Sequence, residues 1–276
     1  MKIALQLGLI PGRSVADKVK WARDAGVQGI ELSAFSADVD GLYKLADQVK
    51  PILPVCSVCG NATLDGRRGF DFLDPDPGKR RDSIEGSKAI LGFCGQVGAA
   101  GQIVPPIFGG PVVPDLSPVL GVPELEDRLM VAALKQLGPW AAGHKTLFLL
   151  EPLNRYEQHY LRRQADGVRV IEKAKVRGVK LLSDFFHMHI EETDTPAAIR
   201  AAGRHVGHVH LADNTRLEPG TGDIDFVAGF KALKQIGFKG FMAYECGVSG
   251  STANEKQKNL AKSISFLQRC VSKAGR

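Results

Sequence analysis

Three carboxylates and one imidazole stand at or near the ends of apolar segments in the second half of the chain. Glu151 follows Thr-Leu-Phe-Leu-Leu, Asp184 follows Lys-Leu-Leu-Ser, His210 lies within Val-Gly-His-Val-His-Leu, and Glu245 follows Phe-Met-Ala-Tyr. An oxygen-rich ligand set with a single nitrogen suits Mn2+, Mg2+ or Co2+ better than metals that prefer thiolates. Three carboxylates brought together without a cation would raise one another's pKa values. The residue types therefore predict a site for one divalent metal ion, with Mn2+ as the first candidate.

Eight short apolar or β-branched segments recur along the chain, each followed by a stretch with helical spacing or helix-start signals. Strands that alternate with helices in this way form parallel sheets with right-handed crossovers. The alternation predicts a closed (β/α)8 TIM barrel, one domain over residues 1–276. An open doubly wound sheet is the alternative, although no GxGxxG follows the first strand as dinucleotide binding would require. The predicted strands are Lys2–Gly8, Gly29–Leu32, Pro54–Cys59, Gln102–Pro105, Thr146–Leu150, Lys180–Asp184, Val206–Leu211 and Phe241–Glu245.

Capping residues set the helix boundaries. Ser14 is a predicted N-cap, and Gly26 ends the same helix. Because the C-terminal ends of barrel strands meet at one face, the four candidate ligands are expected to converge there. The alternative is that each acid forms its own salt bridge at the rim. The predicted helices are Ser14–Ala25, Val39–Lys50, Asp76–Val97, Pro123–Ala142, Gln164–Arg177, Thr195–Ala202, Asp223–Ile236 and Asn254–Lys273.

Five motifs around these positions carry a resemblance to a known family. They are Glu-Pro-Leu-Asn-Arg at 151–155, Ser-Asp-Phe-Phe-His-Met at 183–188, His-Val-His-Leu-Ala-Asp-Asn-Thr-Arg at 208–216, Pro-Gly-Thr-Gly-Asp-Ile-Asp-Phe at 219–226 and Tyr-Glu-Cys at 244–246. Together they resemble the xylose isomerase-like barrel superfamily. Within it, the chain is most similar to ketose 3-epimerases of the D-tagatose 3-epimerase and D-psicose 3-epimerase type.

The resemblance implies a role for each matching position. It implies that Glu151 and Glu245 bind the metal ion and also act as the acid and base, with Asp184 and His210 as the other ligands. Three further positions match residues that contact the sugar in such epimerases, namely Glu157, His187 and Arg216.

Two positions depart from the family's pattern and concern the substrate. Met188–His189 replaces the familiar Met-Asn, and the third strand ends in Cys59–Gly60 without an evident sugar ligand. The expected substrate is a small sugar, and relatives of this kind commonly form homodimers or homotetramers.

The carboxylate pair agrees with a reaction at a carbon next to a ketone. Such a reaction needs a base, an acid and a group that stabilises the enediolate, which a divalent cation can do. The hypothesis is that one of Glu151 and Glu245 removes the C3 proton of a ketose, while the other returns a proton to the opposite face.

Other functions share parts of this pattern. An aldose-ketose isomerase such as hydroxypyruvate isomerase, or an inosose-type dehydratase, would use the same metal set. A DNA repair enzyme similar to endonuclease IV would need histidines from the third and fourth strands, and residues 54–60 and 102–105 contain none. A non-catalytic sugar-binding barrel would not need both glutamates.

The bulk composition excludes several classes. The net charge of +6 comes from scattered basic residues with acids between them, so no nucleic-acid groove is predicted. No segment is apolar enough to span a membrane, and no signal peptide is evident, so a cytoplasmic location is expected. The five cysteines mostly lie in apolar runs and are expected to be reduced core residues.

Three features stay open at this point. Glu31 ends the second predicted strand and is interpreted as a solvated rim or cap residue, with a role beside substrate or metal as the alternative. His208 lies one layer below His210 and either orients a metal ligand or is a core histidine. The proline-rich stretch Val104 to Pro118 forms either a wall over the substrate or a purely structural loop.

Overall fold

Eight parallel strands close into a barrel in the structure, a computed structural model that describes residues 1–35, 37–64 and 67–275. Each strand pairs with the strands that precede and follow it in sequence, and the last strand pairs with the first. The predicted barrel is confirmed, and the open sheet is excluded. The strands are β1 (Lys2–Gln6), β2 (Gly29–Ser33), β3 (Val55–Cys59), β4 (Gly101–Val104), β5 (Leu147–Leu150), β6 (Val179–Asp184), β7 (Val206–Leu211) and β8 (Phe241–Tyr244).

Helices connect the strands on the outside of the barrel. The Ser14 cap is confirmed, since its hydroxyl accepts a hydrogen bond from the backbone N–H of Asp17 at 3.1 Å. Among the described residues, no helix is both long and apolar enough to cross a membrane. The helices are α1 (Val15–Asp24), α2 (Val39–Val49), α3 (Pro77–Val97), α4 (Val122–Gly143), α5 (Gln164–Ala174), α6 (Phe185–Glu191), α7 (Thr195–Ala202), α8 (Phe226–Gln235) and α9 (Ala253–Ala274).

Helix α6 is absent from the sequence prediction. It begins directly after β6 because the Asp184 carboxylate accepts a hydrogen bond from the backbone N–H of Phe186 at 2.7 Å and so caps the first turn. A short antiparallel pair, Thr63–Leu64 with Arg67–Arg68, also lies outside the prediction. Helix α8 begins later than predicted, at Phe226, because Asp225 is its N-cap. These differences all lie in connections that follow the C-terminal ends of strands.

The register of neighbouring strands aligns the ends that carry the candidate ligands. Asp184 on β6 lies opposite His210 on β7, and His210 lies opposite Ala243 on β8, two residues before Glu245. On the other side, β5 pairs with β6 through Leu150 opposite Leu181, so the chain leaves β5 toward the same face. The four strand ends therefore open onto one mouth of the barrel.

The inside of the barrel changes from apolar to polar along its length. A cluster of Ala4, Cys56 and Ala243 with the partly buried Phe241 fills one layer. Barrels of this kind are usually filled by branched apolar side chains. Four polar side chains that are wholly shielded from solvent mark the site end of the interior, namely Glu31, Ser57, His208 and His210.

Candidate metal centre and active site

The four side chains expected to bind a metal ion lie together at the C-terminal mouth of the barrel. One ligand atom from each of Glu151, Asp184, His210 and Glu245 lies within 4.8 Å of the others. Carboxylate oxygens of Glu245, Glu151 and Asp184 stand 3.3, 3.7 and 4.0 Å from His210 Nδ1. We refer to these four residues as the ligand cluster.

Two polar atoms of the ligand cluster have no hydrogen-bond partner in the described part of the chain, Glu151 Oε1 and His210 Nδ1. The other ring nitrogen of His210, Nε2, lies 3.0 Å from Glu31 Oε1 and donates to that carboxylate. Burial opposes protonation of His210, but Glu31 and Glu245 outweigh it and raise its pKa well above the ordinary value, so positive charge is favoured at Nδ1. Three buried carboxylates around one imidazole are costly unless a cation lies between them. The donor set thus fits a divalent metal ion.

The pKa values of these residues show the same excess of negative charge. Burial raises the pKa of Glu151 to about 8, and the Glu245 and Asp184 carboxylates add to this effect. Burial also opposes ionisation of Glu245, but His210 and the Arg216 guanidinium outweigh it and lower the pKa to about 2. A divalent cation placed among these groups would hold all the carboxylates ionised.

Glu31 lies beneath the ligand cluster and is wholly buried. Its carboxylate accepts hydrogen bonds from Gln6 Nε2 at 2.9 Å, Ser57 Oγ at 2.6 Å, His208 Nε2 at 3.1 Å and His210 Nε2. Burial opposes its ionisation, but the two imidazoles outweigh that effect and lower the pKa of Glu31. A carboxylate on the second nitrogen of a metal-binding histidine sets its tautomer and orientation. The interpretation of Glu31 as a solvated rim or cap residue is therefore wrong.

Arg216 reaches across the ligand cluster from the loop after β7. Its Nη2 donates to Glu245 Oε2 at 2.7 Å, and its Nη1 lies 3.5 Å from Asp184 Oδ2 and 3.1 Å from His187 Nε2. The guanidinium stacks 4.5 Å from the ring centroid of Phe186. These contacts fix the guanidinium, with its N–H donors, beside the ligand cluster.

The loop that carries Arg216 is built around a buried carboxylate, Asp213. Its oxygens accept hydrogen bonds from the backbone N–H groups of Gly220 at 2.7 Å, Asn214 at 3.0 Å and Ile224 at 3.2 Å. The loop must be held in this way because Arg216 has a backbone φ of 58°, in the left-handed region that residues other than glycine rarely adopt. Asp213 belongs to the motif at 208–216, but the sequence predicts no role for it.

His187 occupies the first turn of α6 and faces the ligand cluster. Its Nδ1 accepts hydrogen bonds from the backbone N–H and the side-chain N–H of Asn154, at 3.2 and 2.7 Å. Asn154 Nδ2 also lies 2.9 Å from Glu157 Oε1, and the Glu157 side chain is 40% exposed at the rim. Of the three residues expected to contact the sugar, His187 and Arg216 therefore border the ligand cluster directly, and Glu157 lies at its edge.

Cys59 places a thiol against the ligand cluster from β3. Its Sγ donates to Glu245 Oε1 at 3.3 Å, and together with Glu31 and His210 it forms a second group of potential ligands. Burial, with Glu245 adding to it, raises the pKa of the Cys59 thiol well above its ordinary value, so it stays protonated.

A centre like that of endonuclease IV would require histidine ligands from β3 and β4. Neither group of potential metal ligands found among the described residues contains a histidine from these two strands.

The proline-rich segment after β4 is attached to the segment that carries Glu157. The backbone N–H of Gly109 donates to Glu157 O at 2.7 Å, and the backbone N–H of His159 donates to Gly109 O at 3.1 Å. Ile107 is buried, while Phe108 is half-exposed toward the mouth. These contacts favour the interpretation of this segment as a wall of the site.

The sequence is similar to curated sugar epimerases. A 3-dehydro-D-guloside 4-epimerase from Escherichia coli K12 is 31% identical over 273 residues, which cover 98% of this chain and 100% of the relative. A D-psicose 3-epimerase from Ruminiclostridium cellulolyticum is 39% identical over 115 residues, 42% of this chain and 39% of the relative. Of these two relatives, the 4-epimerase matches this chain over almost its whole length, and the ketose 3-epimerase matches less than half of it.

Solved structures agree with the sequence comparison. A 3-keto-D-glucoside 4-epimerase from E. coli superposes with a TM-score of 0.83 and 27% identity, covering 98% of this chain and 100% of that one. The family described as "Xylose isomerase-like TIM barrel" matches residues 19–270. The chain therefore belongs to the xylose isomerase-like TIM barrel family, and it is a sugar epimerase of that family.

Proposed function

We propose that this epimerase is metal-dependent and inverts the carbon next to the ketone of a keto sugar, with a 3-keto-glycoside epimerised at C4 as its substrate. The observation that carries the proposal is the convergence of Glu151 and Glu245 on one imidazole nitrogen, His210 Nδ1, at 3.7 and 3.3 Å. The two glutamates come from β5 and β8, with two strands between them. They therefore approach a bound sugar from different sides, as an inversion requires.

The residues that would hold the metal ion are the four members of the ligand cluster. Three carboxylates and one imidazole favour Mn2+, Mg2+ or Co2+. When bound, such an ion supplies Lewis-acid stabilisation of the negative charge that develops on the sugar oxygens beside the reacting carbon. Glu31 sets the tautomer of His210 so that its Nδ1 lone pair faces the ion.

The proton transfers fall to the two glutamates. One carboxylate removes the proton from the carbon next to the ketone, and the electron pair of the broken C–H bond forms a C=C bond as the ketone becomes an enediolate. The other glutamate, protonated, returns a proton to the opposite face, and the electron pair returns to restore the ketone. Arg216 and His187 border the same cluster and would donate N–H groups to the neighbouring sugar oxygens.

The extent of similarity favours a 3-keto-glycoside over a free ketose. The 4-epimerase relative aligns over its full length, and the D-psicose 3-epimerase aligns over 39% of its length. The chemistry is the same in both cases, because C4 of a 3-keto-glycoside and C3 of a 2-ketose each lie next to a ketone. A ketose 3-epimerase is therefore the second candidate function, supported by the higher identity within the shared part.

A substrate panel followed by NMR tests this proposal. The purified chain, supplied with Mn2+, Mg2+ and Co2+ in turn, is incubated in D2O with methyl 3-keto-glucoside and with free ketoses. We expect inversion at C4 of the glycoside with one deuterium at that carbon. Glu151→Gln and Glu245→Gln are each expected to lose activity by about a thousandfold.

The other possible results of this substrate panel each favour a different mechanism or function. Epimerisation without deuterium at the inverted carbon contradicts the two-glutamate mechanism. Faster turnover of a free ketose at C3 selects the second candidate, an aldose product indicates an isomerase, and loss of water indicates a dehydratase. Full activity in both glutamate variants would leave a sugar-binding barrel as the better interpretation.

A further inference from the structure

An apolar cleft of about 430 Å³ opens at the mouth of the barrel, outside the ligand cluster. Its apolar lining among the described residues consists of Phe35, Phe70, Ile107, Phe108 and Val112. We call it the aromatic cleft. None of these residues takes part in the proton transfer or metal binding proposed above.

Three phenylalanine rings form the core of the aromatic cleft. Phe35 stacks on Phe70 with ring centroids 5.3 Å apart and planes 17° apart, and Phe108 meets Phe70 edge-on at 5.3 Å. Phe70 is buried, whereas Phe35 and Phe108 are each 48% exposed. Exposed aromatic faces on either side of a cavity are the usual form of a small-molecule pocket, and the flat faces accept another ring.

The cleft is next to the ligand cluster. Phe35 packs over Gly60, where an added Cβ would lie 2.9 Å from the ring, and Gly60 has a φ of +100°, which glycine adopts without strain. The residue before it is Cys59, whose Sγ lies 3.3 Å from Glu245 Oε1. The Phe35 ring thus packs on Gly60, next to Cys59, whose side chain contacts one of the two glutamates proposed to transfer protons.

The strand order sets the direction in which the cleft extends. Phe35 follows β2, Phe70 follows β3 and Phe108 follows β4, while the ligand cluster comes from β5 to β8. A sugar whose ketone lies over the ligand cluster therefore has the aromatic cleft on the opposite side of the mouth. A substituent that extends away from the reacting carbons reaches these rings.

We propose that the aromatic cleft binds the group attached to the anomeric oxygen of the substrate, and that this group is a neutral ring. This inference rests on the proposed function, because a free ketose carries no second ring to fill the cleft. An aryl aglycone and a second sugar share the required chemistry, since both present a flat or C–H-rich face to the phenylalanines. The lining of the cleft among the described residues contains no Lys, Arg or His, so it offers no cationic partner to an anionic group such as a phosphate.

The test compares four 3-keto-glucosides that differ at the anomeric oxygen: methyl, p-nitrophenyl, glucosyl and an anionic p-carboxyphenyl form. We expect the wild-type protein to turn over the two neutral ring glycosides with a kcat/KM roughly tenfold above that of the methyl glycoside. Phe35→Ala and Phe108→Ala are expected to remove this advantage through KM. Activity on the methyl glycoside should persist in both variants, and Phe35→Leu, which keeps bulk without a ring, should resemble Phe35→Ala.

Val119→Ala is the matched control, because Val119 directly follows the proline-rich segment that carries Phe108, is 88% exposed and does not line the cleft. Equal kcat/KM values for methyl and ring glycosides in the wild-type protein would overturn the inference. An equal loss of kcat/KM for all four glycosides in Phe35→Ala and Phe108→Ala would also overturn it. The relative rates of the p-nitrophenyl and glucosyl substrates decide between an aryl group and a second sugar.

Direct binding separates this inference from the proposed function. If the wild-type protein turns over no keto sugar with any metal, the proposed function fails. Binding of p-nitrophenyl glucoside and methyl glucoside is then measured by saturation-transfer NMR. Stronger transfer to the p-nitrophenyl ring that is lost in Phe35→Ala supports the cleft, and no difference between the two glucosides refutes it.

Discussion

Asn154 donates both its backbone N–H and its side-chain N–H to Nδ1 of His187, at 3.2 and 2.7 Å. The amide orientation is set by its other contacts, because Asn154 Oδ1 accepts from the backbone N–H of Tyr156 at 2.9 Å and Nδ2 faces Glu157. Nδ1 therefore carries no proton, and neutral His187 keeps its proton on Nε2. Nε2 lies 3.1 Å from Arg216 Nη1, so the imidazole and the guanidinium face the same part of the site.

Replacing Asn154 should change the tautomer of His187. In Asn154→Asp, the new carboxylate accepts a hydrogen bond from His187 Nδ1–H. The imidazole proton therefore moves from Nε2 to Nδ1, and Nε2 can no longer donate. We expect kcat to fall by about ten- to a hundredfold, the loss of one hydrogen bond to a charged group. The 15N shifts of labelled His187 should change from the Nε2–H to the Nδ1–H pattern. An unchanged imidazole spectrum together with reduced activity would contradict the tautomer argument.

Removing the charge of Glu31 should weaken metal binding without touching the metal ligands themselves. Glu31→Gln loses the carboxylate that accepts from His210 Nε2, and such outer partners typically contribute about ten- to a hundredfold in metal affinity. Titration of the metal-free protein with Mn2+ measures the change. Glu124→Gln is a control of equal charge, because that carboxylate pairs with Arg128 on the exposed face of α4. Equal affinities in the two variants would contradict the prediction.

Metal removal should destabilise the folded protein as well as abolish activity. Glu151, Asp184 and Glu245 repel one another without a cation, so a bound ion stabilises the folded state by mass action. At about a hundred times Kd this stabilisation is about 2.7 kcal/mol, and we expect Mn2+ to raise Tm by roughly 5 °C over the chelated protein. In Asp184→Asn the Mn2+-dependent shift should shrink. A Tm of the wild-type protein that does not change when Mn2+ is added would refute the metal site.

Asp127 lies on α4, far from the ligand cluster, and should make the stability of the folded protein depend on pH. Burial opposes its ionisation, but Lys173, Tyr160 and Arg169 outweigh this and lower its pKa. Lys173 Nζ lies 2.6 Å from Oδ2, and the Tyr160 hydroxyl donates to Oδ1 at 2.8 Å. A lowered folded-state pKa stabilises the protein above the unfolded value of about 3.9, and this is lost as pH falls through the folded value.

Urea unfolding across a pH series checks this prediction. Asp127→Asn should cost about 1–3 kcal/mol of unfolding free energy near pH 7, and the difference from wild type should shrink below about pH 4. Asp47→Asn removes an exposed carboxylate on α2 and is the matched control. A difference that stays constant down to pH 2 would contradict the assignment.

The sequence by itself was sufficient for the barrel and for the ligand cluster. Glu151, Asp184 and Glu245 each end or directly follow an apolar strand, and His210 stands one residue before the end of β7. Parallel strands in sequential order bring these positions to one mouth. No knowledge of long-range packing was needed, because the βα repeat determines the topology and the period of two determines the face.

Only the tertiary structure decided the surroundings of that cluster. Glu31 follows the same strand-end pattern, yet its burial against His208 and His210 depends on β2 and β7 facing each other across the barrel, which no local signal shows. Asn154 and His187 meet because the β5 and β6 loops pack together. Phe35, Phe70 and Phe108 lie far apart in sequence and in three separate loops, so their cleft exists only once the barrel has closed.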